Sequence, residues 1–302
     1  MSLSLDPADT RPRRLLLMGN IPVDMVMRVP ALPERGDDLL AESAAMRPGG
    51  GFTVLAAAAQ AGLAGCYAGT HGDGVLGGLV RAALAEIECA VLQPPTRGRD
   101  TGFVLALVDA AGERTFVSAP DAVVPYPADL LAGLHPTPAD LVYVSGYSLG
   151  LGEASAPLAT WVGRVAEDRL VFCDLGPRTS SARSEILWPV LRRVDWLSCN
   201  MREAALLTRS GEASQILREL RRCAPGAGLL VRTGAAGCWL AMPGGLPKLF
   251  PAPTVGRVVD TNGAGDTHSG SFLAAIAGGK DPGKAVRMAN LAAARRVARA
   301  AT

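Results

Sequence analysis

The chain is poor in the residue types that mark several whole classes of function. Aromatic residues make up 5% of its 302 positions, and the formal net charge is only +2. Its paired arginines (Arg13-Arg14, Arg192-Arg193, Arg221-Arg222, Arg295-Arg296) stand far apart. A nucleic-acid surface needs clustered basic residues and aromatic stacking partners, so nucleic acid is not an expected partner. The three histidines, at 71, 135 and 268, are scattered, which argues against a hydrolase. Six cysteines form no C-x-x-C pair and sit mostly in apolar runs, where a free thiol behaves as a small buried hydrophobe. That usage fits a reducing, cytoplasmic setting. The N-terminus, with Asp6 and Asp9 ahead of a short apolar stretch, makes a poor signal peptide. No apolar run approaches the roughly 20 residues of a membrane span, so no membrane partner is expected.

What is present is apolar bulk, 49% of the residues, arranged in short continuous runs. They lie at 15–18, Leu141-Val142-Tyr143-Val144, Leu170-Val171-Phe172-Cys173, Trp196-Leu197-Ser198-Cys199 and Leu229-Leu230-Val231. Such runs suit central parallel strands covered on both faces. Segments with helical character at 155–167, 204–207 and 214–223 separate them, and that alternation argues for an open α/β sheet. Two segments break the rhythm. Residues 101–118 alternate like a hairpin, with a turn at Asp109-Ala110-Ala111-Gly112, and residues 25–39 are extended with Pro30, Pro33 and Gly36. Together they predict a small β lid, formed by about 22–40 and 100–120, on a single domain spanning 1–302. The last third reads as helices at 264–277 and from 282 to about 300, preceded by a strand at 257–259. The first ten or so residues are polar and read as loose.

The strongest chemical signal is Asp260-Thr261-Asn262-Gly263-Ala264-Gly265-Asp266, opening a helical run. Small residues at 263, 264 and 265 let a ligand approach the backbone. The free N–H groups and macrodipole of the starting helix favour an anion there, most naturally a phosphate. A carboxylate beside an anion site is useful when it takes a proton from an attacking hydroxyl. A plain glycine-rich turn, with Asp266 as a helix-start acid, is the alternative.

That segment resembles the D-T-x-G-A-G-D signature of the ribokinase-like (PfkB) carbohydrate kinases, and the resemblance continues in order through nearly the whole chain. Gly19-Asn20-Ile21-Pro22-Val23-Asp24 is similar to the family's first strand, whose closing Asp holds sugar hydroxyls. Pro48-Gly49-Gly50-Gly51-Phe52 resembles its glycine-rich sugar-binding motif, although Thr53 stands where an Asn is usual. Asn200-Met201-Arg202-Glu203 resembles the N-x-x-E motif and Thr233-Gly234-Ala235-Ala236-Gly237 the T-G-x-x-G nucleotide loop, while Asn290 falls where the late helix approaches the base. The resemblance implies a ribokinase-like three-layer sandwich with a central, mostly parallel sheet. It further implies an ATP-dependent kinase acting on a hydroxyl, most naturally a primary one, of a small sugar. Asp24, Gly49, Gly50, Gly51 and Thr53 would hold the acceptor. Asn200, Glu203, Thr233, Gly234, Gly237 and Asn290 would hold the nucleotide. Asp266 would be the base beside the backbone of Gly263, Ala264 and Gly265. Mg²⁺ would be reached through water by Glu203, and a monovalent cation such as K⁺ would be held by Asp260. The exposed faces of the lid imply a homodimer formed through it.

Simpler roles stay open for each motif. Asp24 suits a turn and the three glycines a linker. Asn200 and Glu203 suit a capping box, Thr233-Gly234 a strand-end turn, and Asp260 an Asx-turn. His268 is expected to turn away from the site. The low aromatic content favours a free sugar over a nucleoside. Two rival functions are a catalytically silent sugar- or nucleoside-binding protein and a nicotinamide oxidoreductase. The second rests on Gly72-Asp73-Gly74-Val75-Leu76-Gly77, a G-x-G-x-x-G match that does not directly follow an apolar strand.

Overall fold

The computed structural model describes residues 12–298; the opening stretch expected to be loose lies outside the described residues. From the N-terminus the elements are β1 (Arg14–Met18), β2 (Val23–Arg28), β3 (Ser43–Pro48), α1 (Gly51–Gln60), β4 (Ala64–Tyr67), α2 (Val75–Glu86), β5 (Ala90–Val91), β6 (Phe103–Val108) and β7 (Arg114–Ser118). Then come α3 (Ala128–Ala132), β8 (Asp140–Ser145), α4 (Gly146–Leu149), α5 (Ala156–Arg164), β9 (Val171–Asp174), α6 (Ser184–Arg193), β10 (Trp196–Asn200), α7 (Met201–Thr208) and α8 (Ala213–Cys223). The chain closes with β11 (Gly228–Arg232), β12 (Cys238–Ala241), β13 (Lys248–Phe250), α9 (Ala264–Ala277) and α10 (Pro282–Val297).

Nine strands form one sheet in the order β13-β12-β11-β10-β9-β8-β1-β4-β5, with β12 antiparallel to both its neighbours and the other pairs parallel. The apolar runs are its central strands, and successive side chains go to opposite faces. Leu16 and Met18 of β1 join Val142 and Val144 of β8 in the core under α5, α6 and α8. Leu15, Leu17, Leu141 and Tyr143 join the second core, under α1, α2, α9 and α10. The result is the open α/β sheet that the alternation predicts, covered on both faces in the three-layer sandwich that the resemblance implies. Phe272 of α9 is fully buried against Trp196 (ring centroids 4.8 Å apart, edge to face) and fixes that helix on the sheet.

A separate four-stranded sheet, in the order β3-β2-β6-β7, makes the lid. It uses parts of both expected segments and adds β3, which lies beyond 40. Residues 30–40 are not strand but a loop, set by Pro30 and Pro33. Pairing of β2 with β3 places Asp24 opposite Arg47, and Met25 opposite Met46. Because neighbours alternate in face, one lid surface carries Asp24, Arg47 and Arg114, and the other Met25, Met27, Met46, Phe103, Leu105 and Val117. The strand expected at 257–259 does not form: the Val259 N–H donates instead to Val297 O on α10 (2.7 Å), so the segment lies along a helix end rather than in a sheet.

Candidate active site

Parallel strands place their carboxyl ends along one rim of the sheet, where α/β folds collect ligands. Here β9, β10 and β11 end there in Asp174, Asn200 and Arg232. Arg232 makes a two-pronged pair with Asp174, Nη2 donating to Oδ1 (3.0 Å) and Nη1 to Oδ2 (3.2 Å). Ser269 of α9 donates to the same Asp174 Oδ2 (2.7 Å), tying that helix to the strand ends. Burial alone would weaken the positive charge of Arg232, but the charge and hydrogen bonds of Asp174, then Glu203, hold its pKa above the ordinary value. Asn200 and Glu203 form a complete capping box on α7: Asn200 Oδ1 accepts from Glu203 N and Glu203 Oε2 from Asn200 N, both at 2.8 Å. Burial pushes the Glu203 carboxyl up to about 7, against the pull of Arg232 and with the push of Asp174.

Above the Arg232–Asp174 pair lies the start of α9. Its N-cap, Gly263, has φ +72°, a left-handed backbone that favours glycine. Asp260 Oδ1 accepts from Asn262 N (2.7 Å) and shapes the preceding turn. Among the described residues, the N–H groups of Gly263, Gly265 and Asp266 have no acceptor. The N–H of Ala264 is turned back to Thr261 O at 3.3 Å, so the expected anion seat has three free donors rather than four. Asp266 stands in the first turn. Burial, then Asp174, pushes its carboxyl up to about 7; Arg232 opposes this, and Asp24 and Glu203 add to it.

On one side of this turn is a cleft of about 580 Å³, walled by Asn200, Gly234, Gly237 and Asn290 and floored by Ala264 and Gly265. Two of the residues expected there do not line it. The Thr233 hydroxyl donates to Gly237 O (2.9 Å) and holds the loop in shape, and Glu203 is turned to the Asn200 backbone. Asn290 lines the cleft, but its amide donates to Phe250 O (2.9 Å) and Pro251 O (3.2 Å) and its Oδ1 meets His268 Nε2 (3.2 Å). It therefore walls the cleft and has no amide hydrogen left to read a base. His268, expected to turn away, is a buried part of that wall. Burial, then Arg232, lowers its pKa to about 3, so it is neutral.

On the other side is the lid. Asp24 Oδ2 accepts from Asn262 Nδ2 (3.2 Å), and the absent side chain of Gly49 leaves room for its carboxylate. Burial raises the Asp24 pKa, against Asn262 and Arg47. Thr53 of α1 packs on the Gly263 turn. The structure thus brings Asp24, Gly49, Thr53, Gly263 and Asp266 to one place. Asp260 is different from its expected role. Its Oδ2 accepts from Arg47 (3.3 Å) and its Oδ1 from Arg114, both on lid strands, and its pKa is lowered by these partners although burial alone would raise it. Two guanidiniums at that carboxylate do not fit a monovalent cation bound to it.

The sequence reading missed Asp174, Arg232, Arg47, Arg114 and Arg296. The first two carried a signal: a charged residue closing an otherwise apolar run. The G-x-G-x-x-G match opens α2, but Asp100 already fills that helix start, accepting from Leu76 N (3.0 Å) and Gly77 N (2.8 Å). A dinucleotide phosphate has no place there, which removes the oxidoreductase reading.

Comparison with known proteins bears on the family and the fold. The sequence is 29% identical over 297 residues to YegV, an uncharacterized sugar kinase of Escherichia coli (strain K12), covering 96% of this chain and 90% of that protein. It is 24% identical over 312 residues to a ribokinase of Arabidopsis thaliana, covering 97% and 80%. The fold matches an adenosine kinase from Sinorhizobium meliloti with a TM-score of 0.79 at 21% identity, over 96% of this chain and 94% of that one. It matches Arabidopsis thaliana ribokinase complexed with ribose and ATP at 0.75 and 23% identity, over 95% and 93%. A model of the pfkB family of carbohydrate kinases matches residues 13–302, nearly the full length, and the chain belongs to that family.

Proposed function

We propose that the protein transfers the terminal phosphoryl group of ATP to a hydroxyl of a small sugar, with Asp266 as general base. The observation that carries this reading is the place of Asp266. Its carboxyl stands in the first turn of α9, between the cleft and the lid-covered face, beside three free backbone donors. The mostly apolar cleft suits a purine and ribose, and its floor suits phosphates. Asp24 and the turn at Gly49, Gly50 and Gly51 suit the hydroxyls of an acceptor beneath the lid, since a carboxylate accepts from two vicinal hydroxyls.

Asp266 takes the proton of the attacking hydroxyl, and the N–H groups of Gly263, Gly265 and Asp266 stabilise charge spreading over the transferred group. Arg232, held by Asp174, lies beneath: a methyl on Gly265 would stand 3.5 Å from its guanidinium. Lid closure excludes water, the competing acceptor. Among the described residues no cluster of three or more His, Cys, Asp or Glu could cage a metal. Mg²⁺, which keeps most of its waters and binds mainly to substrate phosphates, needs no such cage; it would neutralise phosphate charge, and Glu203, engaged with the Asn200 backbone and outside the cleft lining, would reach it only through water. Assembly through the apolar outer face of the lid, as a homodimer, belongs to the same reading.

The test is ADP release with Mg-ATP across pentoses, hexoses, sugar acids and nucleosides. Asp266→Asn is expected to lower turnover by roughly 10²–10⁴-fold, the range for a lost general base. Near-normal turnover in that variant would remove Asp266 from the role.

A further inference from the structure

Phosphoryl transfer by Asp266 makes no use of three arginines that gather on the acceptor side of the α9 turn. Arg47 and Arg114 come from lid strands β3 and β7, and Arg296 from α10. Arg47 bonds Asp260, and Arg114 bonds both Asp260 and Thr261 Oγ1 (2.5 Å). Arg296 donates only through Nε, to Asn262 O at 3.2 Å. Its two terminal nitrogens are solvent-accessible and have no acceptor among the described residues. A methyl on Gly263 would meet Thr53 Cγ2 at 3.0 Å, Thr53 Oγ1 at 3.5 Å and Arg296 Nε at 3.7 Å. Thr53 and Arg296 Nε therefore flank the Gly263 turn, and neither residue lines the 580 Å³ cleft.

The charges there do not balance. Three guanidiniums face one firmly ionised carboxylate, Asp260. The other two acids of this face, Asp24 and Asp266, are both drawn toward their neutral forms. Arg296 is itself destabilised, first by burial and then by Arg47 and Arg114, and Asp260 and Asp266 offset this only in part. A guest with a negative charge relieves that repulsion; a neutral sugar leaves it in place. An arginine fork with two free nitrogens matches the paired oxygens of a carboxylate or phosphate.

We propose that the acceptor carries an anionic group, a carboxylate or a phosphoryl ester, remote from the hydroxyl that is phosphorylated, and that Arg296 with Thr53 seats it beside Arg47 and Arg114. This deepens the kinase reading and rests on it. The experiment measures binding by calorimetry and ADP release in parallel for matched acceptors: glucose, gluconate and glucose 6-phosphate, and ribose, ribonate and ribose 5-phosphate. The expected result is at least about 10-fold tighter binding of an anionic member than of its neutral parent, with the acid and ester arms identifying the anion. Arg296→Ala should lower the anionic-to-neutral ratio of kcat/KM by about 10- to 100-fold, the worth of one hydrogen bond to a charged group, mainly through KM. Arg296→Lys should recover part of it. Equal binding of neutral and anionic members, no binding by any anionic sugar, or an equal loss for both classes in Arg296→Ala overturns the proposal. Anion-selective binding without ADP release would leave this inference standing and sink the kinase reading. Turnover of neutral sugars with no anion preference would do the reverse.

Discussion

Asp266 must lose a proton to act as a base, yet its surroundings favour keeping it. With the carboxyl pushed up to about 7, kcat/KM for ADP formation should fall as pH drops below 7 and level off about one unit above it. A profile flat from pH 5.5 to 8.5 would contradict this. The same shift carries a stability consequence. A carboxyl whose folded-state pKa lies above its unfolded value contributes stability at low pH that is lost as pH rises through the folded value. Asp266→Asn should therefore melt higher than the wild type at pH 8.5, and the gap should narrow at pH 5; a gap independent of pH would count against the cause. Beneath it, Arg232→Ala would leave Asp174 buried without its partner. That loss should cost about 3–5 kcal/mol in urea unfolding, and exchanging both residues for apolar ones should cost less.

Among the elements, the central strands were legible because each is buried on both faces and needs an unbroken apolar run. The start of α9 was legible because close approach to a ligand demands small residues in sequence. β3 was not: Ser43, Ala44 and Ala45 have little side chain to bury, and the strand exists through its backbone pairing with β2. The partners of Asp260 were hidden for another reason, since Arg47 and Arg114 are brought to it across 213 and 146 residues by the lid strands. These two ion pairs hold the lid to the body. In Arg47→Ala/Arg114→Ala, amide hydrogen exchange across β6 and β7 should rise by about fivefold or more, the factor that a loss of about 1 kcal/mol gives. Unchanged exchange in those strands, read by mass spectrometry, would mean that the lid is held by other contacts.

For the molecule as a whole, the outer face of the lid is the part that most needs a partner. Met46 and Val117 are 58% and 59% exposed there, within a continuous apolar face on a sheet whose β3 and β7 edges have no strand partner among the described residues. Light scattering should report a dimer at micromolar concentration, and Met46→Glu should shift it to monomer with the fold retained; a monomeric wild type would reject the assembly. The two-sided lid has one more consequence. Which side chains it shows to the acceptor depends on the frame in which its strands are aligned, because a shift of one residue exchanges the two faces. A single residue added to the turn between β6 and β7 would rotate Arg114 outward and bring its neighbours Glu113 and Thr115 in, while every strand of the large sheet keeps its place. Acceptor choice in this architecture can thus be rewritten by the length of one hairpin loop, with no substitution in the machinery that moves the phosphoryl group.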